Sequence, residues 1–293
     1  MSLATIERFY AGAYLPRTCG SEQAYYDLWH ACALHTMSPG DSAIAGALLA
    51  DRLPWVFAAG YQATLRNAFP ALPSRGWAAF AATEDRDDPV SHPPVTLDGT
   101  APACTLNGCK AWVAHSRLVD HLIVTINDPG GDKRAARGIV IERERSGVSL
   151  GHRESPAFLA AMSQGFVRFE HTPVDPDTVF AFEAIRQFGR TEAKFVMLAA
   201  AAFLLARTAR DSPLHDRLVT LAAALLALLD ERDTSRQVYA AIDREFQRCV
   251  DDFELTAATD QIPGYAADRR LFRMYTDRIQ RRQAYAQAEV DAR

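Results

Sequence analysis

Between residues 77 and 180 the chain breaks into short β-prone runs, and on either side of that interval it is patterned like helix. The runs are "WAAFAAT", "PVTL", "ACTL", "KAWVA", "HLIVTI", "GIVI", "GVSL" and "GFVRF", separated by turn-forming residues. Many short strands at close spacing predict an antiparallel sheet folded into a sandwich or barrel. "TINDPGGDKRAARG" reads as a loop with turn chemistry at Asp128 to Gly131, and "HTPVDPDTVF" closes the segment with two prolines.

The flanks carry apolar residues at helical spacing. "DSAIAGALLADRLPWVFAAGYQATLRNAF" offers Asp41 and Ser42 as helix caps, with Pro54 as an interruption. After residue 181 four helical stretches follow. They are "AIRQFGRTEAKFVMLAAAAFLLARTAR", "SPLHDRLVTLAAALLALLDER" with Ser212 as cap and Pro213 in the first turn, "TSRQVYAAIDREFQRCVDDFELTAAT", and "YAADRRLFRMYTDRIQRRQAYAQAEV". Short breaks between them suggest a four-helix bundle. Runs of one type followed by runs of another predict an α+β multidomain chain, not a parallel α/β one. The expected domains are a reduced helical one over 1–75, an antiparallel β domain over 76–180 and a helical bundle over 181–293.

Composition narrows the function. Of 293 residues 48% are hydrophobic, ample for a large core, and the net charge of −4 offers no bulk attraction to nucleic acid or anionic membrane. The longest apolar run, in "AKFVMLAAAAFLLARTAR", is about a dozen residues between charges, which suits a buried helix and falls short of a membrane span. The start of the chain lacks the pattern of a signal peptide, and five cysteines without a C-x-x-C read as reduced thiols, so a cytoplasmic location is expected.

Common catalytic motifs are absent: no G-x-G-x-x-G after a strand, no phosphate-binding loop, no G-x-S-x-G elbow. His30, Cys32 and His35 crowd one helix without the i, i+4 spacing of a metal pair. His115 and His121 flank a strand without a carboxylate or thiol partner, and "DRDD" over 85–88 reads as a solvated loop rather than a cation site. In "NGCKAWVAHSRLVDHLIV", residues 107–124, a turn-forming Asn-Gly leads to Lys110, Trp112 and a second apolar run. By chemistry alone that is a hairpin whose tryptophan belongs to the core.

Two motifs then give the β segment a likeness. "FAATEDRDD" resembles the aromatic-x-x-Thr-Glu-Pro-Gly-x-Gly-Ser stretch of the acyl-CoA dehydrogenase family, and "LNGCKAWVAHSRLVDHLIVT" is similar to that family's Lys-x-Trp-Ile-Thr hairpin. "GFVRFEHTPVDPDTVF", "GYQATLRNAFPAL" and "TEAKFVMLAAAAFLLARTA" resemble the elements around them, so the likeness spans about 40–293. It implies a helix–sheet–helix fold that binds FAD between β domain and bundle, in a homo-oligomer or a hetero-oligomer with a related subunit. The implied activity is α,β-desaturation of an acyl thioester, delivered by CoA or an acyl carrier, in which a carboxylate takes the α-proton and the flavin the hydride. The cofactor-binding residues it implies are Phe80, Ala82, Thr83, Trp112 and Ala114, with the backbone at Ala82 and Thr83 on the pyrimidine edge and Trp112 beside the isoalloxazine.

The chain also departs from the family. Only 82 residues precede Thr83; Pro-Gly-x-Gly-Ser has become Asp85, Arg86, Asp87, Asp88, Pro89; and Ala114 stands where a hydroxyl is expected. The Arg-x-Phe-Gly stretch after the first bundle helix, the paired glycines and the Glu-Gly-Thr that carries the base have no counterpart. The base candidates are Asp277, in "MYTD", and Glu192, about one turn early on the first bundle helix where Lys194 aligns better. These losses leave two alternatives open: a non-catalytic partner subunit of the same fold, and a flavin monooxygenase variant.

Overall fold

A computed structural model describes residues 3–99, 103–126, 136–231 and 235–291; the loop expected at Asp128 to Gly131 lies outside them. Helices α1 (Ala4–Tyr10), α2 (Glu22–Ala31), α3 (Pro39–Leu49) and α4 (Leu53–Ala68) come first. Then follow strands β1 (Trp77–Ala81), β2 (Thr96–Asp98), β3 (Thr105–Ala114), β4 (Val119–Ile126), β5 (Arg137–Glu142), β6 (Val148–His152), β7 (Gln164–Pro173) and β8 (Val179–Phe180). Helices α5 (Phe182–Leu205), α6 (Pro213–Asp230), α7 (Arg236–Glu254), α8 (Tyr265–Asp268) and α9 (Thr276–Asp291) complete the order. The α+β class with helical flanks is the one expected. The chain divides into two units, Met1–Thr64 with Thr191–Arg293, and Leu65–Arg190.

In the β unit two four-stranded sheets form, in the orders β1-β4-β5-β8 and β2-β3-β7-β6. Ala79, Leu122, Val124 and Ile139 from one sheet share a core with Leu106, Val113, Val167 and Phe169 from the other, which makes the pair a sandwich. Three details differ from expectation. β1 pairs with β4 in parallel, from Ala78↔His121 to Ala81↔Val124, although the remaining pairs are antiparallel. "ACTL" and "KAWVA" merge into the single strand β3. Finally, β3 and β4 belong to different sheets, so "NGCKAWVAHSRLVDHLIV" is a crossover between layers and not a hairpin. Asn107-Gly108 lies inside β3 at a register shift, with Gly108 at φ +114°. An added Cβ there would stand 2.4 Å from Pro94 O, so the dipeptide makes a bulge where the chain passes close to a loop.

In the helical unit α5 is apolar around most of its circumference, and Phe195 through Leu205 are almost wholly buried. A helix that is apolar all round belongs in the interior. Gly60 of α4 lets it be approached closely: a Cβ at that position would lie 2.7 Å from Val196 Cα. The cap of α3 is Ser38, whose Oγ accepts from Asp41 N, so Asp41 sits in the first turn and Ser42 is buried within the helix. Pro54 opens α4 rather than interrupting a helix. Ser212 caps α6 as expected, accepting from Leu214 N. The fourth expected bundle helix is broken into α8, a 3-10 turn over Arg269–Arg273, and α9. Leu271 and Phe272 are adjacent and both buried. No helix among the described residues is long and apolar enough to cross a membrane.

Candidate functional site

In the β unit the two motifs meet. The ladder of β1 ends at Ala81↔Val124, and the chain then turns onto β3. Ala111 N donates to Thr83 O at 2.7 Å, and Lys110 Nζ lies 2.9 Å from Glu84 Oε1. From the other side Arg153 donates to Ala111 O at 2.9 Å. The Lys110 side chain has no exposed surface, whereas that of Glu84 is 20% exposed. Burial pulls the Lys110 ammonium's pKa down, and the Glu84 carboxylate pulls it back up.

Beside this clasp stands Trp112. It is half-buried, on a strand whose neighbour Val113 goes into the sandwich core. Its indole Nε1 donates to Gln164 Oε1 at 3.3 Å, and Gln164 Nε2 is itself held by Phe158 O at 2.6 Å. With its polar edge bonded and its rings partly uncovered, Trp112 suits contact with a flat aromatic ligand. Thr83 is exposed and Ala82 half-buried. Phe80 is half-buried too, with its ring stacked on Phe188 at 4.2 Å. Ala114 is fully buried and paired with Gln164 in the β3–β7 ladder, so its methyl reaches no surface.

The acidic stretch after Glu84 serves its own turn. Asp85 Oδ1 accepts from Asp87 N and Asp88 N, and Asp88 Oδ1 accepts from Ser91 N, which holds the Asp88 carboxyl below its ordinary pKa. His92 Nδ1 lies 3.3 Å from Asp85. These are side-chain caps replacing the small residues of the family's loop. His115 is buried at φ +56° and packs on Trp77 at 4.4 Å, and His30 and His35 sit 5.4 Å apart beside Trp29. No group of three metal-ligating side chains occurs among the described residues.

In the helical unit the two base candidates differ sharply. Asp277 is exposed in the first turn of α9. Glu192, on α5, is half-buried: burial pushes its carboxyl above the ordinary range, while the Arg278 guanidinium and the Tyr275 hydroxyl pull it back. Tyr275 is only 8% exposed, and burial together with Glu192 raises its pKa. The two side chains interact, yet no hydrogen bond of ordinary geometry closes on the Tyr275 hydroxyl. The Arg278 guanidinium lies over the Tyr275 ring at 5.4 Å. Tyr239 borders the same group, and its pKa is raised, first by burial. Lys194 is committed elsewhere, donating to Leu228 O at 2.8 Å near the C-terminal end of α6.

The residues that sequence reasoning missed are Tyr275, Arg278 and Tyr239 around Glu192, and Glu84 and Gln164 around Lys110 and Trp112. Within "MYTD" it is Tyr275, and not Asp277, that meets the Glu192 carboxylate. The signal was the apolar spacing of Leu271, Tyr275 and Ile279, all buried, which turns Tyr275 inward and Asp277 outward.

No protein-family model matches the chain. Solved structures do. One described as PigA with FAD and proline superposes with a TM-score of 0.67 at 14% identity, over 99% of this chain and 99% of that one. TdsC from Paenibacillus sp. A11-2, solved with FMN and indole, gives 0.58 at 17% identity over 87% and 84%. The prolyl acyl carrier protein oxidase AnaB gives 0.57 at 14% over 87% and 90%. At such identities the likeness is one of fold, and that fold is the acyl-CoA dehydrogenase-like one implied by the motifs.

Proposed function

We propose that this chain is a flavin-dependent oxidoreductase which takes FAD on the β-unit face at Ala82, Thr83 and Trp112 and oxidises an acyl thioester, with Glu192 as the base. The observation that carries the reading is the closure of Thr83 and Glu84 onto Ala111 and Lys110. It brings the two motifs together with a partly uncovered indole beside them. When bound, FAD would supply the hydride acceptor. The chain's own part is to orient and to move a proton. Thr83 O is already spent on Ala111 N, which fixes the path of the backbone before any ligand arrives. Trp112 is held by Gln164, so its ring position is set as well. Glu192 is a carboxylate whose burial makes it a stronger base than an exposed one, as abstraction of the α-proton of a thioester requires. The neighbours described with proline and as a prolyl acyl carrier protein oxidase favour a carrier-bound thioester over a CoA ester. The acidic residues Asp85, Asp87 and Asp88 also fit a substrate without CoA's phosphates near that loop.

The test is uptake of FAD by the purified full chain, followed by anaerobic bleaching with prolyl-carrier and acyl-CoA thioesters. The expected result is a yellow protein bleached by a carrier thioester. A chain that stays colourless in excess FAD defeats the proposal. The second reading, a non-catalytic partner subunit, draws on Ala114, a buried methyl where the family resemblance calls for a hydroxyl. It predicts no bleaching by any thioester until a related intact subunit is added.

A further inference from the structure

We infer that Lys110 is a positioning residue for the proposed cofactor face: through Glu84 it holds the Ala82–Thr83 backbone in register beside Trp112. This rests on the flavin reading above. The argument starts from the oddity of the lysine. Its side chain is completely buried in a strand that packs on an apolar core. Lysine is almost never fully buried unless it is paired, and replacing a whole buried ion pair by well-packed apolar residues is often neutral or stabilising. Stability alone therefore does not account for the ammonium.

Its placement does. Consecutive residues of β3 grip consecutive residues of the incoming segment: Lys110 takes Glu84 by side chain, and Ala111 takes Thr83 by main chain. Two attachments at adjacent positions fix both the offset of the segment along β3 and its rotation about its own axis. One alone would leave the segment free to pivot. The need is local, because the β1 ladder stops at Ala81 and the next stretch, from Asp85 onward, bonds mainly within its own turn. Residues 82–84 thus lie between a strand end and a self-contained turn, with the clasp at their C-terminal end. The pair is directional as well: Lys110 contributes no exposed atom, so its effect on anything at the surface passes through Glu84.

The experiment compares wild type, Lys110→Met and Glu84→Gln by FAD titration, by the absorption band shape of the bound flavin at saturation, and by amide exchange at Ala111. The expected result is FAD binding weaker by about tenfold or more in both variants, with faster exchange at Ala111 and an altered band shape in the bound fraction. Glu84→Gln keeps the side chain's shape but removes the carboxylate charge that the buried Lys110 ammonium pairs with, at a partly exposed position, so it carries the test even where Lys110→Met fails to fold. Wild-type affinity, band shape and exchange in Glu84→Gln would overturn the inference and leave the flavin reading standing. A wild-type chain that takes up no FAD sinks that reading first, and the assignment with it.

Discussion

The two regions proposed to carry function are built in opposite ways. Around Thr83 and Trp112 the side chains are half-exposed and almost every polar edge is bonded: Ala111 to Thr83, Lys110 to Glu84, Trp112 to Gln164, Gln164 to Phe158. Around Glu192 a half-buried carboxyl is raised by burial, faced by the Arg278 guanidinium, and set beside a buried Tyr275 hydroxyl that closes no hydrogen bond of ordinary geometry. The first arrangement fixes positions, which is what recognition of a rigid ligand asks for. The second leaves a titratable group poised, which is what proton transfer asks for. Position comes from satisfied bonds and reactivity from unsatisfied ones, so substitutions in the two regions should fail differently.

The largest expected effect lies in the Glu192 region. Glu192→Gln should slow thioester-driven flavin reduction by about 10²–10⁴-fold, the usual contribution of a general base, and leave FAD affinity unchanged. It should also raise stability at neutral pH. Because the folded-state pKa of Glu192 is raised, the native chain binds more protons there than the unfolded one between the ordinary carboxylate value and the raised one. Its contribution is therefore fully present below the ordinary carboxylate pKa and lost as pH climbs through the raised value. Glutamine stays neutral and escapes that loss. Urea melts at acidic and neutral pH should show the variant's advantage growing with pH. A variant that turns over normally, or is less stable at neutral pH, would mean that Glu192 is an ordinary structural carboxylate.

The next contrast separates two tryptophans of the same unit. Trp77 is wholly buried, and Trp77→Ala should cost about 3–5 kcal/mol in a urea melt. Trp112→Ala removes a half-buried ring and one long hydrogen bond, so about 1 kcal/mol is expected. FAD titration should rank the pair the other way, with Trp112→Ala losing affinity while remaining folded. If Trp112→Ala were as damaging to the melt as Trp77→Ala, Trp112 would be core after all.

How much of this the sequence revealed follows from the range of each interaction. The sandwich and the helical flanks were legible because alternation and helical spacing are local patterns, and each expected strand run is found in a strand. The parallel β1–β4 pair was not, because more than forty residues separate Trp77 from Val119 and nothing local specifies that direction. Asn107-Gly108 misled because the positive φ that suits a hairpin turn suits a bulge equally well, and the closeness of Pro94 is invisible in the dipeptide. The motifs made Lys110 and Trp112 visible, but Glu84 and Gln164 emerged as partners only when folding brought together residues 26 and 52 positions apart. At Glu192 a carboxylate could be named from the family resemblance, which puts a base on the first bundle helix in some members. Its environment depended on Tyr275 and Arg278, which arrive from the far end of the bundle.

The smallest expected effect belongs to Asp277, and it is the sharpest control on the comparison. Asp277 lies two residues from Tyr275 and in the first turn of α9, where its charge faces the positive end of the helix dipole. It is exposed, and its main-chain carbonyl takes Arg281 Nε at 3.1 Å, an interaction that does not depend on the side chain. Asp277→Asn should therefore cost about 0.3–1 kcal/mol in low salt, shrink further as salt screens the dipole, and leave flavin reduction at the wild-type rate. The measurement is a pair of urea melts at low and high salt beside an anaerobic reduction assay. A large fall in rate would transfer the base from the half-buried carboxylate to the exposed one. The contrast between a bonded, position-setting face and a half-buried, proton-handling one would then no longer describe how this chain divides its work.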